Sequence, residues 1–372
     1  MAAQQQSDKH CKGFSSWQQL VAMLYAQLSG ASSLRQTVAG FNSAVAHHYH
    51  LGCEPICRST LSQANGARSS QVFALALRFL MDQAGRVHRE MRRDCEQLML
   101  LLDSTSITLK GRHFDDWTQD GRNRNTQGIK LHLLMDGDSL VPVHASMSRP
   151  NVNDIEEGRR LPIEPGALYI FDRGYCDYTW WHAIAQGGAQ FVTRFKYNAS
   201  LSVEQTLAPQ TSGEGSVISD EIVRLKNRNP GGKRRNPYVE PLRRITVMQA
   251  DKPRPLVLAT NDMSSPAEEI AQRYKERWQI ELFFKWIKQH LNIKRFLGRN
   301  ENAVRIQILT ALIAYVMLTL YKRAQGSTKD LWSFLGEFRA SMFTRPHLEV
   351  LRERRRRQNV AEFTRSQPDL FT

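Results

Sequence analysis

The sequence is poor in cysteine and has fewer acidic than basic residues. Its 372 residues include only five cysteines, an odd number, at Cys11, Cys53, Cys57, Cys95 and Cys176. Such sparse spacing argues against a disulfide framework and is typical of a reducing compartment. The chain has 36 Asp and Glu residues and 51 Lys and Arg residues, which gives a net charge of +15. This excess favours a polyanionic partner, most often nucleic acid.

A long hydrophobic run is also missing. The longest apolar stretch, residues 308–321, is too short to span a bilayer and predicts a buried core helix. Residues 1–6 are polar and do not have the pattern of a signal peptide. These two observations predict a cytoplasmic protein.

Residues 1–95 have the pattern of a helical domain. Apolar residues recur at helical spacing from Trp17 to Leu28, and Ser33 can cap a second helix over residues 34–47. After a break at residues 52–55 comes a short helix whose polar residues are Arg58, Ser59, Thr60 and Gln63. This order is typical both of a DNA-binding helix-turn-helix and of an ordinary helical hairpin, and the sequence leaves the two open.

The pattern changes from helix-like to strand-like after residue 96. Strands are predicted at 98–109, 128–135, 140–145, 167–172 and 189–195, with a helix at 178–187. Strands followed by crossover helices favour an α/β domain with a mixed sheet. We expect this domain to occupy residues 96–325.

Residues 199–250 differ from their surroundings in composition. They are rich in Ser, Gly, Asn, Pro and charge, and they predict an inserted β-rich lobe with a basic loop at 227–235. Residues 255–260 return to the main sheet, and helices are predicted at 303–324 and 329–343. Residues 326–372 are expected to form a C-terminal helical segment and a basic tail.

The helix that follows Pro266 carries the most informative pattern. At about 100° per residue, Tyr274, Arg277, Glu281 and Lys288 project within an arc of about 60°. An apolar stripe lies beside them, formed by Ile280, Phe283, Phe284, Ile287 and Leu291. A carboxylate can hold a divalent metal, and Arg and Lys can hold phosphate. Phosphodiester chemistry is one interpretation, and a solvated charged face is the other.

Two further carboxylates lie at the ends of apolar strands. Asp103 stands where an apolar run gives way to Ser-Thr, and Asp172 ends a later strand. Burying such groups is unfavourable unless they are paired or bind metal. Together with Glu281 they can hold two divalent ions, which suits phosphodiester cleavage. Asp154 and the acidic residues of the 115–120 loop are expected to be structural.

These motifs resemble a known family. Asp103 in Leu-Asp-Ser-Thr, Asp172 in Asp-Arg-Gly-Tyr, and the Tyr-x2-Arg-x3-Glu-x6-Lys pattern from Tyr274 to Lys288 resemble the DDE transposases of the IS4 insertion-sequence family. The resemblance covers about residues 97–325. Residues 12–17 also resemble the start of the helical domain that precedes the catalytic domain in one IS4 subgroup.

The resemblance implies a fold and a reaction. It implies an RNase H-like catalytic domain with a β-rich insertion, preceded by an all-helical N-terminal domain that binds terminal inverted repeats. The reaction is cut-and-paste transposition: a hairpin intermediate forms at the transposon end, and the freed 3′-OH then attacks target DNA. A homodimer in the synaptic complex and a bacterial, nucleoid-associated location are implied as well.

The resemblance also assigns site residues. Asp103, Asp172 and Glu281 are implied to bind two Mg²⁺ or Mn²⁺ ions. Arg277 and Lys288 are implied to contact the phosphate at the 5′ side of the transposon end, assisted by Tyr274. The hairpin step has less support, because residues 199–250 contain no Trp to distort the DNA end as in some family members.

Three residues outside the motif core have two interpretations each. Arg194, which leaves the fifth strand, and Lys130 are either DNA contacts or surface charges. Trp278 lies on the motif helix, where it can stack on an unpaired base or pack against the protein, and packing is slightly favoured.

Two other functions stay open at this point. One is a non-catalytic DNA-binding repressor derived from a transposase, and the other is a metal-dependent nuclease without strand transfer. A tyrosine recombinase that uses Tyr274 is disfavoured, because the surrounding Arg and His set that such an enzyme requires is missing.

Overall fold

A computed structural model describes most of the chain. The described residues are 7–9, 11, 13–91, 97–109, 114–118, 127–207, 217–226, 235–248, 254–343 and 356. Nearly all of the predicted basic loop at 227–235 and of the basic tail therefore lies outside the described residues.

A single mixed sheet organises the described part of the chain. Its strands follow the order β3-β2-β1-β4-β5-β9-β8-β7-β6. Their bounds are β1 Met99–Thr108, β2 Gly128–Asp136, β3 Pro142–Ser148, β4 Leu168–Phe171, β5 Gln190–Arg194, β6 Leu201–Leu207, β7 Val217–Leu225, β8 Leu242–Val247 and β9 Leu256–Thr260.

The first five strands have the RNase H-like arrangement that the resemblance implied. β1 pairs with β2 in antiparallel and with β4 in parallel orientation, and β5 is parallel to β4. Leu102 pairs with Phe171 in the parallel register, so that the next residues, Asp103 and Asp172, follow at the same level on neighbouring strands. The fold therefore places the two aspartates side by side on neighbouring interior strands of the sheet.

The insertion extends this sheet, whereas we expected a lobe of its own. β9 pairs with β5 along one side and with β8 along the other, and β7 and β6 follow in antiparallel order. An unpaired β9 would expose a row of backbone donors and acceptors, and pairing with the insertion satisfies them. The prediction of β-rich structure is confirmed, but the prediction of a separate lobe is wrong.

Among the described residues five helices precede the sheet, where the sequence predicted a helical segment. They are α1 Ser16–Ser29, α2 Leu34–Ser43, α3 Val45–Leu51, α4 Arg58–Ala67 and α5 Gln71–Met91. Ser15 forms a capping box with Gln18, and Ser33 caps α2. The helix predicted over 34–47 is divided at Ala44, where the backbone leaves helical geometry.

The N-terminal helices share a hydrophobic core with the sheet. One cluster joins Met23, Phe41 and Leu77 of these helices to Leu133 of β2 and Ile280 of the motif helix. A second cluster on the opposite face of the sheet includes Phe171 and Phe191 and packs on Trp181 of a crossover helix. Burial of both faces accounts for the apolar character of the central strands.

Seven further helices complete the described structure. They are α6 Asp115–Thr118, α7 Asp154–Gly158, α8 Tyr178–Gln186, α9 Ala267–Lys275, α10 Trp278–His290, α11 Glu301–Ala324 and α12 Leu331–Ser341. By length and composition α11 is apolar enough to cross a membrane, but 78% of its apolar window is buried inside the protein. This burial agrees with the predicted core helix.

The motif helix is divided, whereas a single helix was predicted. α9 ends at Lys275 and α10 begins at Trp278, with a tight turn between them. In that turn Glu276 N–H donates to the Arg273 carbonyl at 3.1 Å, and Arg277 N–H donates to the Tyr274 carbonyl at 3.2 Å. These i to i+3 bonds wind the chain more tightly than an α-helix does. The apolar stripe is buried as predicted.

The start of α9 is held by the loop that precedes it. Pro266 occupies the N-cap position without a side-chain hydrogen bond. The backbone N–H groups of Ser264 and Ser265 instead donate to Asp262 Oδ1 at 2.9 and 3.0 Å. Asp262 therefore fixes the loop before α9 by accepting these hydrogen bonds.

Candidate active site

Asp103 lies on β1 immediately after the buried residues Leu101 and Leu102. Its Oδ1 accepts a hydrogen bond from the Ser104 backbone N–H at 2.7 Å. The pKa of Asp103 is raised to about 7, mainly by burial and in smaller part by the charges of Asp172 and Glu281, while the Ser104 hydrogen bond and the Arg277 charge lower it. The carboxyl is thus poorly solvated and close to two other acids, which makes it a favourable place for a cation.

Asp172 opens a short 3-10 helix, Arg173–Tyr175, at the end of β4. Its Oδ1 accepts from the Gly174 backbone N–H at 2.6 Å, and its carbonyl accepts from Thr193 Oγ1 at 3.2 Å. A β-carbon at Gly174 would lie 2.8 Å from the Asp172 carboxylate, so only glycine fits without displacement. The Asp-Arg-Gly-Tyr motif therefore fixes the orientation of this carboxylate.

Arg277 connects Glu281 to Asp103. One guanidinium nitrogen lies 2.6 Å from Glu281 Oε1, and the other lies 3.5 Å from Asp103 Oδ2. The Arg277 side chain is only 15% exposed. The structure therefore brings a helix carboxylate and a strand carboxylate together around one buried cation.

Tyr274 and Arg194 face the same site. Burial raises the pKa of the Tyr274 phenol, while the charges of Arg194 and Arg277 lower it and that of Asp172 raises it. The Arg277 guanidinium lies over the Tyr274 ring at 5.9 Å from the centroid. Arg194 ends β5, the neighbour of β4 in the sheet, and its contact with DNA stays a prediction.

Lys288, near the end of α10, contacts β1 just beyond Asp103. Its Nζ donates to Thr105 Oγ1 at 2.5 Å and to the Ser106 carbonyl at 3.1 Å. Burial lowers the pKa of Lys288, and the charge of Lys294 lowers it further. The ammonium is therefore held against β1 two residues beyond Asp103.

Lys130 is engaged within the protein. Its Nζ donates to the Val152 carbonyl at 2.9 Å and lies 3.2 Å from Asp154 Oδ1. The side chain is 14% exposed. Its ammonium thus supports the site from within, and its contact with DNA stays a prediction.

Asp154 is the residue that sequence reasoning missed. Its Oδ1 accepts from Ser104 Oγ at 2.6 Å, and the same oxygen pairs with Lys130. Its Oδ2 lies 3.5 Å from the position of a β-carbon at Gly174. Asp154 therefore touches the segments that hold both Asp103 and Asp172. Only the tertiary structure reveals this, because β2 and β3 separate Asp154 from β1 in the sequence, and the rest of α7 and a loop separate it from β4.

Two surface features bear on DNA contact. Trp278 is 56% exposed, so the interpretation as a packed core residue is wrong. On α4, Leu61 and Ala64 are buried, while the polar side chains of Arg58, Ser59, Thr60 and Gln63 are exposed. Both features leave polar or aromatic groups open to a partner.

The residues fit a divalent metal by the chemistry of their donors. Asp103, Asp172 and Glu281 offer carboxylate oxygens, the ligands that Mg²⁺ and Mn²⁺ prefer. Among the described residues, no three ligating side chains lie together as a ready-made metal site. Arg277 accounts for this at Asp103 and Glu281, because its guanidinium lies between them.

Comparison with known proteins agrees with this geometry. Residues 95–317 match the family described as "Transposase DDE domain", and residues 1–54 match a domain of unknown function, DUF4372. A Sinorhizobium fredii protein named as a transposase, y4zB, is 44% identical over 276 residues, which cover 74% of each chain. A Synechocystis protein named as a transposase for the insertion sequence element IS4SA is 42% identical over 299 residues, covering 79% of this chain and 81% of that protein.

One solved structure is more distant. The piggyBac transposase in its synaptic complex with hairpin DNA shares 12% identity and a TM-score of 0.40 with this chain. The similarity covers 74% of this chain and 59% of that one.

The chain belongs to the transposase DDE domain family. Its class is that of a DNA transposase of the insertion-sequence type, so DNA is its partner, and divalent metal dependence belongs to the class. The predicted family and fold class are thereby confirmed.

Proposed function

We propose that this protein carries out cut-and-paste transposition through one active site formed by Asp103, Asp172 and Glu281. The observation that supports this most is that Arg277 pairs with both Asp103 and Glu281, while the register of β1 and β4 puts Asp172 beside Asp103. Asp172 and Glu281 come from two other segments, and the charge of each raises the pKa of Asp103, an arrangement that is typical of functional sites.

Two Mg²⁺ or Mn²⁺ ions would be held by these three carboxylates. When bound, such ions stabilise charge on the attacking and leaving oxygens of a phosphodiester. The raised pKa of Asp103 supports this, since a buried carboxyl gains most from a nearby cation.

The cationic residues of the site would bind and orient the DNA strand. Arg277 would exchange its contacts with Asp103 and Glu281 for a scissile-strand phosphate, which it can hold with two parallel hydrogen bonds. Lys288 would hold a neighbouring phosphate, and Tyr274 would fix the Arg277 side chain by its ring contact. Arg194 would add a positive charge for the DNA backbone. Lys130 would do so as well and would also hold Asp154 in place through their ion pair.

The remaining segments would supply recognition and assembly. Residues 1–95 would bind the terminal inverted repeats, with α4 presenting Arg58, Ser59, Thr60 and Gln63. Residues 96–325 would form the catalytic domain, and 326–372 would add a helical segment and a basic tail. Cutting two ends in a coordinated way requires a pair of sites, so a homodimer would form on DNA in the bacterial cytoplasm, at the nucleoid.

A joining assay tests this proposal. The protein is incubated with Mg²⁺ and DNA that carries the ends of its own insertion sequence, with a supercoiled plasmid as target. We expect nicked ends, hairpins and products joined through the transposon 3′-OH. Cut ends without joining would support a nuclease, and specific binding without cleavage would support a repressor.

A further inference from the structure

A groove leads away from the candidate active site along the end of β1. Its cavity has a volume of about 710 Å³. Residues 106–109 form one wall, and the end of α10 and the segment that follows it form the other. Lys288 lines this groove and also contacts Thr105, two residues from Asp103. The groove therefore begins where the site ends.

The groove is cationic. Lys288, Lys294 and Arg299 line it, and none of the described residues that line it is acidic. Burial lowers the pKa of Lys288, and the charge of Lys294, which lines the same groove, lowers it as well. The Arg299 carbonyl accepts from Trp117 Nε1 at 3.1 Å, which fixes this segment against α6. A chain of phosphates matches such a surface.

Two aromatic side chains lie among these cations. Phe114 and Phe296 both line the groove and are half-buried. The Phe114 ring packs edge to face on Trp117 at a centroid distance of 6.2 Å, which fixes its orientation. Cations beside partly exposed aromatic rings are typical of sites for single-stranded nucleic acid. The bases stack on the rings, and the phosphate backbone lies along the cations. A duplex keeps its bases paired and has none to offer to the rings.

We propose that this groove binds an unpaired DNA strand that leaves the active site. Its phosphates contact Lys288, Lys294 and Arg299, and one or two of its bases stack on Phe114 and Phe296. The inference rests on the proposed function, because it takes the scissile phosphate to lie at Asp103. It deepens that function by assigning a path to the strand that separates during cleavage.

The test compares two DNA ligands by fluorescence anisotropy without metal, so that no cleavage occurs. One is a blunt duplex with the transposon end, and the other is the same duplex with a single-stranded extension of about six nucleotides at the cut site. We expect the full-length protein to bind the extended duplex about tenfold more tightly. The variant Lys294→Ala/Arg299→Ala should lose this preference and bind the blunt duplex within about twofold of wild type.

Two further measurements separate charge from stacking. The slope of log K against the logarithm of the salt concentration should become less steep for the extended duplex. Two lost phosphate contacts should reduce its magnitude by about 1.4, or about 0.7 for each contact. Phe114→Leu and Phe296→Leu keep apolar volume but remove the ring, and each should reduce the preference about fivefold. Lys329→Ala is the matched control, because Lys329 lies beyond the opposite end of α11 from Arg299.

Three outcomes would overturn the proposal. They are a wild type without preference for the extension, a double variant that keeps the preference, and a double variant that weakens both ligands equally. Cleavage with Mg²⁺ is measured separately. If the protein prefers the extended duplex but never cuts DNA, the groove binds a single strand and the proposed transposition activity is wrong. If the protein cuts DNA but has no preference for the extended duplex, the proposed function stands and the proposal for the groove is wrong.

Discussion

The carboxylate of Asp154 accepts a hydrogen bond at 2.6 Å from the hydroxyl of Ser104, the residue that follows Asp103. Lys130 lies 3.2 Å from the same oxygen, and the other oxygen faces Gly174, two residues after Asp172. One side chain therefore links the two segments that carry the strand aspartates. Outer-shell partners of this kind hold ligands in the orientation that a metal requires.

Replacing Asp154 by Asn should impair cleavage without preventing DNA binding. The amide keeps an acceptor for Ser104 but loses the charge that faces Lys130. We expect single-turnover cleavage to fall about 10- to 100-fold, and the Mn²⁺ concentration for half-maximal activity to rise. Glu156→Gln, on the exposed side of the same short helix, should behave as wild type. An Asp154→Asn enzyme with an unchanged metal requirement would show that the residue only supports folding.

Arg277→Gln should raise the affinity for metal while lowering activity. The guanidinium lies between Asp103 and Glu281, so its charge competes with any ion at these carboxylates. Its removal should tighten Mn²⁺ binding by about three- to tenfold in calorimetry without DNA. Cleavage should nevertheless fall, because the phosphate loses its bidentate partner. Weaker Mn²⁺ binding by the variant would mean that Arg277 orders the carboxylates and does not compete with metal.

Asp103→Asn should stabilise the metal-free protein at neutral pH. The folded-state pKa is about 7, against an ordinary value of 3.8. Between these values the unfolded carboxyl releases its proton while the folded one keeps it, so wild-type stability falls as the pH rises. The variant escapes this loss, and its free energy of unfolding should exceed that of wild type by up to about 4 kcal/mol above pH 7.

Chemical denaturation in EDTA at pH 4 and pH 8 measures this difference. The gain should be below about 1 kcal/mol at pH 4, because the unfolded carboxyl has only begun to lose its proton there while the folded one keeps it. Mg²⁺ should reduce the gain at pH 8, because it stabilises only the wild type. Asp82→Asn, at an exposed position on α5, serves as the control. A variant less stable than wild type at pH 8 would contradict the account of Asp103.

The ion pair between Arg243 and Asp220 should be important for stability. Two nitrogens of Arg243 lie 2.8 and 2.5 Å from the Asp220 carboxylate, and a third donates to the Ser265 carbonyl at 2.5 Å. Both side chains are almost fully buried. Arg243→Met leaves Asp220 buried without its partner and should lower the free energy of unfolding by about 3 to 5 kcal/mol.

A double variant distinguishes the pair from its surroundings. Arg243→Met combined with Asp220→Leu removes both charges, and it should recover most of the lost stability. Arg224→Ala breaks the exposed pair with Glu204 and should change stability by less than about 1 kcal/mol. If Arg243→Met proved as mild as Arg224→Ala, the insertion would not depend on this pair for its attachment to the loop before α9.

Part of the site could be predicted because it depends on local pattern. Asp103 follows an apolar run inside β1 and Asp172 follows the apolar strand β4, and a burial argument identifies both without knowledge of the fold. The Arg277–Glu281 contact follows from helical spacing. Asp154 could not be predicted, since its partners come from β1 and β2. The extension of the sheet by the insertion was missed for the same reason, as strand partners are not encoded locally.

The central claim is that Glu281 completes a metal-dependent site for DNA cleavage. The most direct test compares Glu281→Gln with Glu276→Gln, a carboxylate in the turn before α10, on DNA that carries the element's own ends. Both variants should bind the DNA as wild type does. With Mg²⁺, Glu276→Gln should give hairpin and joined products, while Glu281→Gln should give none. Cleavage by Glu281→Gln at the wild-type rate would contradict the account.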